Sequence, residues 1–278
     1  MMDLLSEREF TFTDRDFARV SRLAKSEAGI HLSSAKKELV YGRLVRRVRA
    51  LGKSSFADYL GSLDQHAGEL GALINAITTN MTFFFRQEAQ FDHLKSSLFP
   101  QMRADGVKGP LKIWSAACST GQEPYSLAMT AFEAEPHNQT PAQILATDLD
   151  TEVLAKARAG VYPLDNLDPL SNQQKRQWFL KGTGPNAGQA RANNALKGII
   201  KFGQLNLNGT WPIRGPFHAI FCRNVVIYFD QETKARLFER LADLLHPKGA
   251  LYLGYSESLV SVGDRFKVVG KGTYQLKG

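Results

Sequence analysis

A short apolar run that stops at a turn of small residues and restarts as a helix constrains this chain more than any other feature. Residues 111–117, LKIWSAA, have strand length and strand character. Cys118-Ser119-Thr120-Gly121 forms a tight turn after them, and a helix is expected from near Glu123. Pro124 falls in its first turn, where a missing N–H costs nothing, and Ala128, Ala131 and Phe132 continue at helical spacing. Strand, turn and helix in this order open a doubly wound α/β sheet, which holds its ligands at the carboxyl ends of the strands. Gly121 alone does not make a Gly-x-Gly-x-x-Gly fingerprint. The stretch therefore reads equally as a plain βα connection or as a cofactor site, and the rest of the chain decides.

The α/β pattern continues beyond this helix. A second strand at 143–147 ends in Asp148, and Asp150 or Thr151 caps a helix that Gly160 stops. A carboxylate at that strand end can accept both hydroxyls of a ribose. Residues 161–198 are too long for a minimal crossover and carry the turn signal Lys-Gly-Thr-Gly-Pro-Asn at 181–186. An inserted hairpin-like subdomain is expected there. Strands are expected at 199–205, 216–222 and 250–255, with a helix over 233–245 capped by Asp230, a turn at 246–249 and a closing hairpin at 266–276. Polar residues thus gather at successive strand ends, at 118–123, Asp148, Asn206 and Asn224, and a doubly wound sheet brings such ends into one crevice.

Residues 11–79 read as helical. Thr13 or Asp14 caps a first helix carrying Phe17, Val20, Leu23 and Ala24, which Gly29 ends. A second, at 35–51, has an apolar stripe of Leu39, Val40, Leu44, Val48 and Leu51, with Lys36, Lys37, Arg43, Arg46, Arg47 and Arg49 on the remainder. That face is either a solvated helix surface or a docking face for an acidic partner, with Lys36, Arg43, Arg46 and Arg47 as its docking residues. Residues 80–86, NMTFFFR, break the pattern: three phenylalanines not expected in solvent, with Asn80, Thr82 and Arg86 carried among them. Buried polar groups need partners, either a ligand or, in a packing segment, a structural carboxylate for Arg86. The expected division is a helical domain over 1–88, a linker over 89–107 and an α/β domain over 108–278.

The composition sets outer bounds. The chain has 278 residues and a formal net charge of +8, which favours an anionic partner. No apolar run reaches bilayer-spanning length, and the acidic amino-terminal stretch lacks a signal-peptide core, so a cytoplasmic protein without membrane insertion is expected. Two cysteines, Cys118 and Cys222, make no disulfide framework, and six histidines without ligand spacing suggest no metal. Both cysteines end strands that are neighbours in a third-second-first-fourth-fifth order; they are two buried small hydrophobes or thiols beside a ligand.

Three blocks narrow the field: NxTxFFR at 80–86, WSAACSTGQEPYSLA at 114–128 and FCRNVVIYF at 221–229. The turn LLHPKGAL at 244–251 resembles the LLxPGGxL of class I S-adenosylmethionine-dependent methyltransferases, and the whole chain resembles the bacterial chemotaxis receptor methyltransferases of the CheR family. Gln122, where that family often has Glu, is a small departure. The resemblance implies an all-helical N-terminal domain followed by a Rossmann-like class I methyltransferase domain with a small inserted antiparallel β-subdomain. It implies S-adenosylmethionine as cofactor, bound by Asn80, Thr82, Arg86, Glu123, Asp148, Asn206, Leu207, Asn224 and Val225, with Arg86 and Tyr228 nearest the transferred methyl. The implied substrate is the glutamate side chains of a chemoreceptor's cytoplasmic helical bundle. The loop at 182–188 is similar to that of members that also hold a receptor C-terminal peptide. A monomer is expected.

The chemistry is self-consistent. A glutamate with a pKa near about 4.3 is already ionised at neutral pH, so no general base is needed. Positioning and water exclusion remain as the tasks. A nucleic-acid methyltransferase is the competing enzyme, but Arg223-Asn-Val-Val-Ile-Tyr228 is not a base-stacking motif of the DPPY kind. A non-catalytic cofactor-sensing or receptor-binding module is the other alternative.

Overall fold

The computed structural model describes residues 8–259 and 265–278; the first seven residues of the acidic amino-terminal stretch lie outside it. The chain divides into two units, Met1–Thr79 and Asn80–Gly278.

The first unit contains α1 (Asp14–Ala28), α2 (Lys37–Ala50), α3 (Phe56–Gly61) and α4 (Glu69–Ile77). Thr13 caps α1 in a reciprocal capping box with Asp16, and Gly29, at φ 72°, ends it. Val40, Leu44 and Val48, four residues apart, bury one face of α2, and Val20, Ala24, Phe56, Leu73 and Ile74 are buried on the other helices of the unit. Leu39, expected in the stripe, is 47% exposed, because it lies off the face those three define.

The cations of α2 are not a uniform solvated face. Arg43 donates to the carbonyls of Ile77 and Thr78, both at 2.7 Å, and so satisfies the free carboxyl end of α4. Arg47 forks onto Glu69, whose side chain is 4% exposed and also accepts from Tyr59 Oη at 2.8 Å. Burial works to raise the Glu69 pKa, but the donors from Arg47 and Tyr59 outweigh it and hold the carboxyl below its usual range. Lys37 pairs with Asp14 and Arg49 with Glu9. Arg46 points outward and is exposed, and Lys36 is half-buried.

In the second unit α5 (Ala89–His93), a π turn (Leu94–Leu98) and α6 (Phe99–Ala104) succeed one another without a break. These residues, expected as a linker, instead bury Phe91, Leu94, Leu98, Phe99 and Met102 in the core of the α/β unit. The spacing 91, 94, 98, 102 is that of an apolar helix face, which is why the segment packs rather than spans. The NMTFFFR stretch also belongs to this unit, so the division falls at Thr79/Asn80 rather than after residue 88.

The remaining elements are β1 (Leu111–Ser115), α7 (Gln122–Ala134), β2 (Ala142–Asp148), α8 (Thr151–Ala159), β3 (Val161–Pro163), α9 (Asn172–Trp178), β4 (Phe179–Lys181), β5 (Gln189–Ala192), α10 (Asn194–Gly198), β6 (Ile200–Gln204), β7 (Phe217–Cys222), α11 (Gln231–Leu244), β8 (Leu245–Leu253), β9 (Phe266–Gly270) and β10 (Thr273–Leu276). The main sheet has seven strands in the order β6-β2-β1-β7-β8-β10-β9. The first five run parallel, and β10 pairs antiparallel with both β8 and β9. Its core strands are mostly apolar, as both-sided burial requires: every residue of β7 is buried, and β1 and β2 each expose one polar residue, Lys112 and Gln143. The expected turn at 246–249 lies inside β8: Phe217 pairs with Leu245 and Ala219 with Ala250, so the residues between bulge out of the register. The insertion forms a second, antiparallel sheet, β3-β5-β4.

The chain runs outward from β1 through β2 to β6 and then returns to β7 on the other side of β1. That reversal opens a crevice at the carboxyl ends of β1 and β7, where doubly wound sheets bind ligands. No helix among the described residues is long and apolar enough to cross a membrane.

Candidate active site

The turn after β1 forms one wall of this crevice. Ala116 N–H donates to Phe221 O and Cys118 N–H to Thr147 O, which splices the turn onto both neighbouring strands. Ser119 adopts φ 48°, a costly conformation for a side-chain-bearing residue. Its N–H donates to Asp148 Oδ2 at 2.8 Å and its hydroxyl to Asn80 O at 3.0 Å. Gly121, at φ 98°, cannot be replaced freely: a Cβ there would stand 2.7 Å from Tyr162 Oη and 2.9 Å from Ala157 Cβ.

Asp148 lies at the end of β2 as expected. Its second oxygen accepts Asp150 N–H at 3.0 Å, and Asp150 in turn caps α8. Burial pushes the Asp148 carboxyl above its usual range, against the pull of these N–H donors. Each oxygen retains acceptor capacity, so the group can still take a diol.

The NMTFFFR segment is drawn onto this turn. Asn80 Nδ2 donates to Asp150 Oδ2 at 2.9 Å, and Phe85 N–H, at φ 53°, donates to Ser126 Oγ at 3.0 Å. Thr82 is half-buried between them. Phe84 packs edge-on against Tyr162 and Phe179 of the small sheet, at 5.2 and 5.5 Å between ring centres. Phe83 departs from expectation and is 47% exposed. The Arg86 guanidinium covers part of its ring, 5.8 Å from the centre, and donates to Met81 O.

Beneath the crevice lies an ion pair that the sequence did not reveal. Arg223 Nε donates to Glu123 Oε2 at 2.7 Å, with the two side chains 3% and 9% exposed. Arg223 Nη1 also donates to Gln90 Oε1 and to Arg86 O. Its guanidinium is flanked by the rings of Phe91 and Phe221. Ser115 Oγ donates to the other Glu123 oxygen at 2.7 Å. One buried cation therefore ties Glu123, the backbone of Arg86 and the helix start at Gln90 together. A cation directly after an apolar strand reads as a solvent-facing strand end, which is why sequence alone passes over it.

Asn206 and Leu207 come directly after β6, where Leu205 N–H donates to Asp148 O. Their loop is closed by Arg240, which donates to the carbonyls of Leu207 and Gly209 and stacks 3.6 Å over Trp211. Asn224 and Val225 stand just past β7, Asn224 at φ 57°, and Tyr228 closes a single 3₁₀ turn, half-buried. Cys118 and Cys222 sit at the ends of adjacent strands, both buried, and burial pushes both thiols up. Lys36, Arg43, Arg46 and Arg47 belong to the helical unit. No group of three or more His, Cys, Asp or Glu able to hold a metal ion occurs among the described residues.

Two family models account for most of the chain. The CheR methyltransferase all-alpha domain matches residues 15–78, and the CheR methyltransferase SAM binding domain matches residues 80–275. This chain belongs to the CheR methyltransferase family. Among CheR-family relatives, it is 44% identical over 272 residues to chemotaxis protein methyltransferase 2 of Pseudomonas aeruginosa, covering 98% of this chain and 96% of that one. It is 42% identical over 275 residues to the chemotaxis protein methyltransferase of Escherichia coli, covering 98% and 94%. The protein is an S-adenosylmethionine-dependent methyltransferase. The donor set suits that cofactor: a carboxylate at the end of β2 suited to a ribose, asparagine side chains after β6 and β7, and small residues at 116–119 in the turn after β1.

Proposed function

We propose that this CheR-family protein methylates glutamate side chains of chemoreceptors, producing glutamate methyl esters on the cytoplasmic helical bundle. The observation that carries the reading is the course of residues 80–86. The segment is pinned to the β1 and β2 turns through Asn80 and held through Arg86 O on the buried Arg223, and it leaves the Arg86 guanidinium at the surface over Phe83. A fixed backbone under a partly exposed fork suits the orientation of an incoming carboxylate.

Bound S-adenosylmethionine supplies an electrophilic methyl group. The chain's part is to hold the acceptor carboxylate in line, with Arg86 orienting it and Tyr228 bordering the same place. The substrate carboxylate is ionised at neutral pH, so no side chain has to remove a proton. Asn80, Thr82, Arg86, Glu123, Asp148, Asn206, Leu207, Asn224 and Val225 are assigned to cofactor binding. The protein acts as a monomer in this reading.

The test is transfer of radiolabelled methyl from S-adenosylmethionine to a chemoreceptor cytoplasmic fragment, with DNA and tRNA as controls. Base-labile label on the receptor fragment alone is expected. Label on nucleic acid instead defeats the reading.

The helical unit serves as the receptor-docking face, and Arg46 is the docking residue that projects outward. Arg46→Glu is expected to raise KM for the receptor several-fold at low salt, an effect that shrinks as salt rises. The affinity for S-adenosylhomocysteine should not change. A variant whose receptor KM matches the parent at low ionic strength removes Arg46 from the interface.

A receptor C-terminal peptide is assigned to the small sheet. Val161, Arg191 and Leu180 stand in one cross-strand row of β3, β5 and β4, all exposed, and β3 and β4 are both edges open to a further strand.

A further inference from the structure

We infer that Glu257 is a positioning residue for the methyl-donor site, because its buried carboxylate holds the loop that carries Asn224, Val225 and Tyr228. The inference rests on the proposal above, which gives Asn224 and Val225 to the cofactor and places Tyr228 beside the transferred methyl.

Glu257 lies in the segment after β8, four residues past Leu253, and its side chain turns back under the neighbouring strand end. It is 6% exposed. One oxygen, Oε2, accepts Asn224 N–H at 2.8 Å and Gly254 N–H at 2.6 Å. The other, Oε1, accepts Val226 N–H at 3.0 Å and Ile227 N–H at 3.3 Å. A single carboxylate thus gathers four backbone donors from two loops, those after β7 and β8.

Each contact answers a local need. Asn224 takes φ 57°, which a residue with a side chain adopts at a cost, and a bond to its N–H helps hold it there. Val226 and Ile227 open the 3₁₀ turn that ends at Tyr228, and their N–H groups have no partner within that turn. The carboxylate therefore acts as a cap delivered from a distant segment, with the negative charge suited to a helical amino end. Gly254 completes the fit: a Cβ there would stand 2.5 Å from Asn224 Nδ2 and 2.7 Å from Glu257 Oε2. Burying a carboxylate is costly unless it is well supplied with donors, and burial does push this one's pKa up. Both carboxylate oxygens accept, so both pairs of N–H donors are met, where an amide could meet only one pair.

Glu257→Gln keeps the size and loses the match. Whichever way the amide faces, its NH₂ meets one pair of N–H donors. The dissociation constant of S-adenosylhomocysteine, measured by calorimetry on the full chain, is expected to rise about 10- to 100-fold. KM for S-adenosylmethionine should rise in step and KM for the receptor fragment should stay within about twofold of the parent. Hydrogen exchange at the amides of Asn224, Val226, Ile227 and Gly254 should accelerate ahead of the sheet. Glu257→Asp, which keeps the charge on a shorter stem, should show the same changes reduced, and it decides the matter if the Gln variant does not fold. A folded variant with unchanged cofactor affinity, or one whose receptor KM rises alone, overturns the inference. Asn224→Ala in the parent chain checks the underlying assignment: undiminished cofactor binding there removes that assignment and this inference with it.

Discussion

Arg223→Ala is expected to destabilise the α/β unit by about 3–5 kcal/mol and to abolish measurable cofactor binding. The magnitude comes from what is left behind. Glu123 is 9% exposed and would keep its charge with only Ser115 as a side-chain donor, and an uncompensated buried charge of this kind costs about that much. Gln90 and Arg86 O would lose their donor at the same time. Denaturant unfolding measures the first effect and calorimetry with S-adenosylhomocysteine the second. Arg223→Lys should fall between, since a lysine ammonium keeps the charge but not the fork that reaches Glu123, Gln90 and Arg86 together. The pair can be separated into its two roles by Arg223→Met combined with Glu123→Met. An apolar pair of similar volume should recover much of the stability, while cofactor binding stays lost on the proposal that Glu123 holds the cofactor. Recovery of both would show that neither residue serves the cofactor.

Arg47→Ala is expected to unfold the helical unit more readily, by about 2–4 kcal/mol, rather than simply to weaken receptor docking. Arg47 is the partner of Glu69, which is 4% exposed and otherwise relies on Tyr59. The figure is set below that for Arg223 because the Arg47 side chain is 32% exposed, and solvent screens part of the pair. Differential scanning calorimetry should resolve a lowered transition, and the change should persist at high salt. Arg46, one residue earlier, has the opposite profile, with a salt-sensitive receptor KM and unchanged melting. A melt for Arg47→Ala that overlays the parent would return Arg47 to the docking face.

These two arginines also show where reading a sequence stops. The strand order, the acid at the end of β2, the caps at Thr13, Asp150 and Asp230, and the inserted antiparallel sheet were all legible, because each is announced by neighbours a few residues away: an apolar run, a capping oxygen, a glycine. Arg47 and Arg43 were legible only as solvated or docking cations, because their partners lie 22 and 34 residues further on, in and at the end of α4. Arg223 and Glu123 are 100 residues apart, and Glu257 reaches back 33 residues to Asn224. Pairing at such separations leaves no local period or spacing. The expected linker over 89–107 differs for another reason: its apolar residues have helical spacing, and the face they form is buried in the core of the α/β unit instead of spanning between domains.

The small sheet is joined to the turn after β1 by more than its two covalent crossings. Tyr162 Oη donates to Thr120 O at 2.8 Å and fills the space over Gly121, while Phe84 wedges between Tyr162 and Phe179. Grafting residues 161–198 from a relative would therefore also change what packs over the turn at Gly121. A working chimera has to carry residues 84, 121 and 162 as one inherited set, and the small sheet cannot drift in sequence independently of the turn it packs on.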